Sequence, residues 1–100
     1  MAGFSDEMAD NYKDPWDRIL ELTAFGKTVE VFRVDGEERL ILRVWSKKRK
    51  TMATSKDEPA DDFAWERILE LTAFGKVVEI IRKAGEGRLF LCVYSKRRIE

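Results

Sequence analysis

The sequence predicts an α+β fold built from a tandem αββ repeat, and three observations lead to that class. Residues 16–50 reappear without a gap as residues 65–99, so adding 49 superposes the copies, and RILELTAFGK is identical in both. Each copy begins with an apolar stripe of helical period and continues with two alternating, β-branched segments. Two units of about 35 residues are too small to fold separately, so we expect a single domain with one shared core.

Composition excludes several classes of protein. The 100 residues are 44% hydrophobic and 38% charged, which is typical of a globular domain. The 19 Lys and Arg residues balance 19 Asp and Glu residues, so no net charge draws the chain to nucleic acid or to an anionic membrane. Cys92 is the only cysteine and histidine is absent, which excludes an internal disulfide and a Cys/His zinc site. No long apolar run indicates a signal peptide or a membrane span, and we expect an intracellular, cytoplasmic protein.

Two polar segments divide the chain. Residues 1–13 are acidic and lack apolar periodicity, which predicts a flexible tail. Residues 48–60 are polar and contain Pro59, which predicts a linker long enough to cross the molecule. Repeat unit 1 therefore covers residues 14–47, and repeat unit 2 covers residues 61–99.

Each unit should begin with a helix. In unit 1, Asp14 can accept hydrogen bonds from free backbone N–H groups and Pro15 suits the first turn, which predicts a helix over residues 15–25 that ends at Gly26. In unit 2 the corresponding helix is capped by Asp61 or Asp62 and closed by Gly75. The alternative is a first strand at residues 20–25, which would make the fold a mostly-β pair of three-stranded meanders.

A β-hairpin should follow each helix. Residues 28–34 and 39–46 alternate between apolar and polar side chains, and Asp35-Gly36 between them is a strong hairpin turn signal. Unit 2 repeats the pattern as residues 77–83 and 88–95, with a turn over residues 84–87.

The predicted architecture is one four-stranded antiparallel sheet with both helices on one face. Such a layer arrangement buries both helical stripes at once. We expect the second strands of the two units, residues 39–46 and 88–95, to pair at the centre around a pseudo-twofold axis. This layout resembles a circular permutation of the ferredoxin-like fold, a resemblance of topology alone.

Alternation assigns the strand side chains to two faces. One aliphatic row in each second strand should face the helices, namely Leu40, Leu42, Val44, Leu89, Leu91 and Val93. The opposite face then carries Ile41, Arg43, Trp45, Phe90, Cys92 and Tyr94, with Phe32 and Ile81 and the acids Glu30 and Glu79 from the first strands. We expect this apolar face either to bind a partner or to be covered by the tail and the linker.

Single-stranded DNA or RNA is the first partner that the sequence predicts. Each second strand ends in an aromatic residue, a serine and a basic run, and such a pairing suits base stacking beside phosphate contacts. The predicted nucleic-acid-binding residues are Trp45, Lys47, Lys48, Arg49, Tyr94, Lys96, Arg97 and Arg98.

A protein-interaction module is the alternative function. It would be a self-associating protein, such as a homodimer, or an inhibitory accessory protein that uses Phe32, Ile41, Ile81 and Phe90 as apolar anchors. We expect no enzymatic activity, because the chain has no histidine base, no Gly-rich phosphate loop and no nucleophile motif. No cofactor, metal or membrane partner is predicted, and the acids at Asp35, Glu37 and Glu38 suit a plain turn.

Overall fold

The protein is an α+β structure with two helices and one antiparallel sheet of six strands. The computed structural model describes residues 3–34, 38–46, 56–83 and 87–95. The predicted α+β class is confirmed, but the predicted four-stranded sheet is wrong. The strands are β1 (Phe4–Met8), β2 (Thr28–Arg33), β3 (Leu40–Trp45), β4 (Lys56–Pro59), β5 (Val77–Arg82) and β6 (Leu89–Tyr94), and the helices are α1 (Pro15–Ala24) and α2 (Ala64–Ala73).

The helices form as predicted, so the meander alternative is wrong. In α1 a side-chain oxygen of Asp14 accepts a hydrogen bond from the Trp16 N–H at 3.1 Å, and Pro15 occupies the first turn. Helix α2 lacks a side-chain cap at Phe63, and the nearby Asp61 instead accepts a hydrogen bond from the Phe63 N–H at 2.9 Å. Both helices end at a glycine of positive φ, 86° at Gly26 and 84° at Gly75.

The strand order is β1-β3-β2-β5-β6-β4, so the first hairpin strands pair at the centre, not the second ones. The β2–β5 register joins Val29 to Ile80, Glu30 to Glu79 and Val31 to Val78. Glu30 and Glu79 are also 49 residues apart, and the pseudo-twofold axis therefore passes through this pair, normal to the sheet. The predicted central pairing of the second strands is wrong, and so is the ferredoxin-like layout. The alternation of apolar residues shows which face a side chain occupies, but it does not show which strands are neighbours.

The two additional strands form the edges of the sheet. Strand β1 lies in residues 1–13, predicted as a flexible tail, and β4 lies in residues 48–60, predicted as a linker. Each edge strand is short and polar, and a glutamate on its helix-side face pairs with a helix arginine: Glu7 with Arg18, and Glu58 with Arg67. The predicted hairpin turns depend on residues 35–37 and 84–86, which lie outside the described residues.

The core lies between the helices and one face of the sheet, as the alternation predicts. Ile19 and Leu22 from α1 and Ile68 and Leu71 from α2 pack there. The predicted aliphatic rows of β3 and β6 join them, with Val93 only partly buried. Because the two helices share one continuous core, the repeats form one folded unit.

Two arginines connect each repeat to the helix of the other. At the end of β2, Arg33 donates to Leu69 O and Thr72 Oγ1 of α2, at 3.4 and 3.3 Å. At the end of β5, Arg82 donates at the same two distances to Leu20 O and Thr23 Oγ1 of α1. This exchange follows the pseudo-twofold axis and ties the repeats together beyond the central strand pair.

Candidate functional site

The two predicted nucleic-acid-binding residues that the structure describes, Trp45 and Tyr94, lie far apart. Trp45 is opposite Thr28 at the start of β2, and Tyr94 is opposite Val77 at the start of β5, and these two starts lie toward opposite ends of the antiparallel sheet. The Trp45 side chain is only 1% exposed, and its indole Nε1 donates to Glu30 Oε1 at 3.2 Å. A base could stack on Trp45 only if this ring were first uncovered. The basic residues Lys47, Lys48, Arg49, Lys96, Arg97 and Arg98 lie outside the described residues.

The predicted apolar anchors lie on the sheet face opposite the helices, but they do not form a broad exposed patch. Phe32 is 2% exposed and packs against its cross-strand neighbour Ile41, while Ile81 and Phe90 form the matching half-buried pair in the other repeat. Phenylalanine and isoleucine exchange strands between the repeats, so each pair keeps nearly the same volume. This face is therefore mostly packed.

Charged groups add to that packing. The Arg43 guanidinium lies 4.1 Å from the ring centroid of Phe4 and 5.1 Å from that of Phe32, and it also donates two hydrogen bonds to Asp6 at 2.7 and 2.9 Å. In the other repeat, Lys83 Nζ lies 4.2 Å from the Phe90 ring centroid. Cations thus lie over the rings of Phe4, Phe32 and Phe90 on this face.

The strongest exposed apolar groups lie on the helical side. In the described part of the chain, the large apolar side chains exposed to solvent are Phe25 at 78%, Phe74 at 79% and Phe63 at 70%. Phe25 and Phe74 are equivalent residues of the two repeats, each at the C-terminal cap of its helix. We call these two side chains the phenylalanine pair.

Helix-cap hydrogen bonds fix the backbone of the phenylalanine pair. In repeat 1, Gly26 N–H donates to Thr23 O at 3.0 Å and Lys27 N–H donates to Leu22 O at 3.1 Å, which is a Schellman motif. The same two bonds recur around Gly75, at 3.0 Å each. The motif requires the glycine but places no demand on the residue before it, so packing does not explain an exposed phenylalanine in both copies.

The helical side that carries the phenylalanine pair is acidic as a whole. Residues 7–27 and 58–76, which hold the helices and the edge-strand glutamates that face them, contain ten Asp and Glu residues against five Lys and Arg residues. Two of those cations are already paired: Arg18 bonds Glu7 and Glu21, and Arg67 bonds Glu58 and Glu70. The outer helix surface therefore carries an excess of negative charge.

The network at Glu7 is the most extensive of these ion pairs. Glu7 accepts hydrogen bonds from Arg18 Nε at 3.0 Å, from Arg18 Nη2 at 2.9 Å and from the Tyr12 hydroxyl at 2.6 Å. The Arg18 hydrogen bonds lower the pKa of Glu7, while the bond to Glu7 raises the pKa of Tyr12. These groups are held in fixed protonation states at neutral pH, as a structural network requires.

The chemistry of a catalytic centre does not converge in the described residues. Burial, followed by the hydrogen bond with Asp57, raises the pKa of Cys92 to about 12, so the thiol is not a ready nucleophile. No group of three or more His, Cys, Asp or Glu side chains in the described ranges could hold a metal ion. The helices in this part of the chain are too short and polar to cross a membrane.

The sequence contains two signals that periodicity alone does not reveal. The segments DEMAD and DEPAD, residues 6–10 and 57–61, are 51 residues apart, not 49, and they mark the two edge strands as part of the repeat. Two extra residues among residues 11–13 account for the difference, since the N-cap residues Asp14 and Phe63 are again 49 apart. The second signal is an identical phenylalanine before each capping glycine, which the helix pattern leaves unexplained. Comparison with protein-family models, with curated proteins and with solved structures finds no match.

Proposed function

We propose that this protein is a small, non-enzymatic protein-binding module that docks through the phenylalanine pair. The observation that carries the proposal is the 78% and 79% exposure of Phe25 and Phe74 at equivalent helix caps. Exposed single apolar residues are common on protein surfaces, but here the same aromatic residue recurs at a position where packing requires none. The proposal moves the predicted interface from the packed sheet face to the helical side.

Phenylalanine at a rigid cap is a favourable anchor for a partner. An aromatic side chain buries about 150–250 Å² when it is covered, which corresponds to a few kcal/mol at about 25 cal/mol per Å². Since the cap hydrogen bonds already hold the backbone, little conformational entropy is lost on binding. Two such anchors are enough to act as the central contacts of an interface.

A retention experiment tests this function. Immobilised wild-type protein is compared with a variant carrying Phe25→Ser and Phe74→Ser in an extract of the cells that express the gene. Phe63→Ser is the matched control, because Phe63 is 70% exposed but has no phenylalanine counterpart in repeat 1. We expect a defined protein to be retained by the wild type and the control and lost by the double variant. Retention that is equal for all three would contradict the proposal.

Binding of single-stranded nucleic acid is the second candidate, and the charge distribution favours it. Residues 47–50 and 96–98 supply seven of the 19 Lys and Arg residues and contain no Asp or Glu. The rest of the chain then carries twelve cations against 19 acids, so overall neutrality conceals a strong local segregation. The stacking role predicted for Trp45 is less favoured, because that ring is buried.

Salt dependence tests the second candidate. The probe is a fluorescent single-stranded oligonucleotide titrated at low and moderate salt, where polyanion binding should weaken steeply as counterions are released. Charge reversal at Lys47, Arg49, Lys96 and Arg98 should abolish binding. Reversal at Lys27 and Lys76 is the matched control, because these two lysines also recur in both repeats but lie at the helix caps. Binding that survives the first set of substitutions removes this candidate.

A further inference from the structure

The pseudo-twofold symmetry of the helical side restricts what kind of protein can occupy the phenylalanine pair. The axis through Glu30 and Glu79 relates Phe25 to Phe74, and with them the neighbouring residues of the two caps. The axis is normal to the sheet and both helices lie on one face of it, so the two side chains lie at the same level above the sheet. A partner that binds both side chains therefore needs two equivalent phenylalanine-binding surfaces, related by a twofold axis.

Divergence elsewhere shows that this symmetry is not simply a remnant of duplication. On the sheet face opposite the helices, Arg43 stands where repeat 2 has Cys92, and Trp45 stands where it has Tyr94. The buried core position Val31 has also changed, to Ile80. In contrast, residues 18–27 are identical to residues 67–76, including exposed positions that packing leaves free. A partner that contacts both caps in the same way accounts for retention at both.

The distance between the two caps requires two separate pockets. In the β2–β5 register, Thr28 and Val77 are offset by four residues along the strand direction, or about 14 Å at a rise of about 3.4 Å per residue. The phenylalanine pair lies beyond these two strand starts, one at each end. One small pocket cannot hold both rings, whereas two identical subunits can offer one pocket each.

Charge distinguishes a foreign partner from a second copy of this chain. Helical sides brought together would oppose their excess acids, including Asp17 and Glu66 on the outer surfaces of the helices. Basic strand ends of one copy could contact the acidic helices of another, but such a head-to-tail contact builds a ring or a filament instead of a twofold-symmetric complex. The acidic helical side therefore fits a different protein, with basic residues between its two pockets.

We infer that the partner is a homodimeric protein with a basic surface around its own twofold axis, and that one chain of this protein spans both subunits. The inference rests on the proposed docking function and adds the symmetry and the charge of the partner. Binding across two subunits would also explain why the duplicated protein is useful as a single chain, because the second contact becomes intramolecular once the first has formed.

Photo-crosslinking on the intact protein tests the inference. The photoreactive residue p-benzoylphenylalanine replaces Phe25 in one preparation, Phe74 in a second and Phe63 in a control, and each is irradiated in an extract of the expressing cells. The cross-linked peptides are sequenced, and the mass of the purified native complex is measured. We expect positions 25 and 74 to label the same peptide of one polypeptide, in a complex of two partner subunits and one chain of this protein.

Affinity for that purified partner gives a second readout. Phe25→Ala and Phe74→Ala should each weaken binding by about tenfold or more, and by equal factors within about threefold, whereas Phe63→Ala should weaken it less. Labelling of different polypeptides, labelling of a second copy of this chain, or a complex with one partner subunit overturns the inference and leaves the docking function standing. The absence of any cross-link from positions 25 and 74 overturns both.

Discussion

The two edges of the sheet occupy equivalent positions, yet they are held by different chemistry. At the β1 edge, Arg43 lies between Phe4 and Phe32 and bonds Asp6, while Tyr12 strengthens the pair of Glu7 with Arg18. The β4 edge has Cys92 in place of Arg43, and the exposed Phe63 stands where Asp14 caps α1. The two edges therefore share a backbone arrangement but need not contribute equally to the free energy of unfolding. We expect the β4 edge to contribute less.

Exposure of the ion pairs leads to the same conclusion. The Arg18 and Glu7 side chains are 28% and 20% exposed, whereas those of Arg67 and Glu58 are 43% and 36% exposed. Solvent screening weakens a charge pair as it becomes more exposed, and an isolated surface pair contributes little to stability. Arg18, which pairs with Glu7 of β1, should therefore contribute more to stability than Arg67, which pairs with Glu58 of β4.

The largest difference is expected between Arg43→Ala and Cys92→Ala, which change equivalent positions. Arg43→Ala removes two hydrogen bonds from Asp6 and a cation from two phenylalanine rings, and should reduce the free energy of unfolding by about 2 kcal/mol. Cys92→Ala should cost about 1 kcal/mol, because it removes one buried sulfur and its hydrogen bond with Asp57. Urea denaturation followed by circular dichroism measures both values. A loss of stability in Cys92→Ala that equals or exceeds the loss in Arg43→Ala would contradict the ranking of the two edges.

The sequence predicts the interior of each repeat well, because there the local signals agree. Asp14 and Pro15 mark the start of α1, Gly26 marks its end, and alternation marks the hairpin strands. The order of the strands could not be derived in this way. Both strands of a hairpin carry the same alternation, and the choice of β2 and β5 for the centre depends on long-range contacts, such as those that Arg33 and Arg82 make with the opposite helix.

The edge strands could not be predicted from apolar periodicity for a different reason. Strand β1 reads FSDEM and β4 reads KDEP, so their inward positions carry glutamates that pair with arginine instead of aliphatic side chains. The exposure of the phenylalanine pair could not be predicted, because it depends on the direction of the capped chain, which the helical pattern does not specify. Only the exact repetition of Phe25 as Phe74 pointed to it.

The second expected difference separates Arg18→Ala from Arg67→Ala. Arg18→Ala removes two of the hydrogen bonds that Glu7 accepts and should lower stability by about 1.5 kcal/mol. Arg67→Ala should leave the midpoint of urea unfolding nearly unchanged, because its partner remains accessible to water. Arg18→Lys is a further control, since it keeps the charge but loses the bidentate contact with Glu7. Equal losses in Arg18→Ala and Arg67→Ala would mean that exposure does not set the strength of these pairs.

Acid should weaken the β1 edge through Glu7. Hydrogen bonds from Arg18 lower the pKa of Glu7 below its ordinary value of 4.5 in the folded protein. The stabilisation is therefore complete above pH 4.5 and is lost as the pH falls through the lower, folded-state pKa. We expect Glu7→Gln to flatten the decline in stability between pH 5 and pH 3, as measured by urea unfolding at each pH. In the Arg18→Ala background the same substitution should change the pH profile little, and an undiminished effect there would assign the pKa shift to another group.

The smallest expected effect concerns one hydroxyl group, which is removed at Tyr12 and added at Phe63. Tyr12→Phe removes the hydrogen bond from the tyrosine hydroxyl to Glu7 and should cost about 0.5–1.5 kcal/mol. Phe63→Tyr places a hydroxyl at the residue before α2, and any gain should be smaller because Phe63 is 70% exposed. The double variant carrying both substitutions should therefore be less stable than the wild type, which differential scanning calorimetry can measure. Phe63→Tyr could instead recover all of the stability that Tyr12→Phe removes. In that case the ion pairs of Glu7 and Glu58 gain equally from a hydroxyl, and the difference in stability between the edges must come from Arg43 and Cys92.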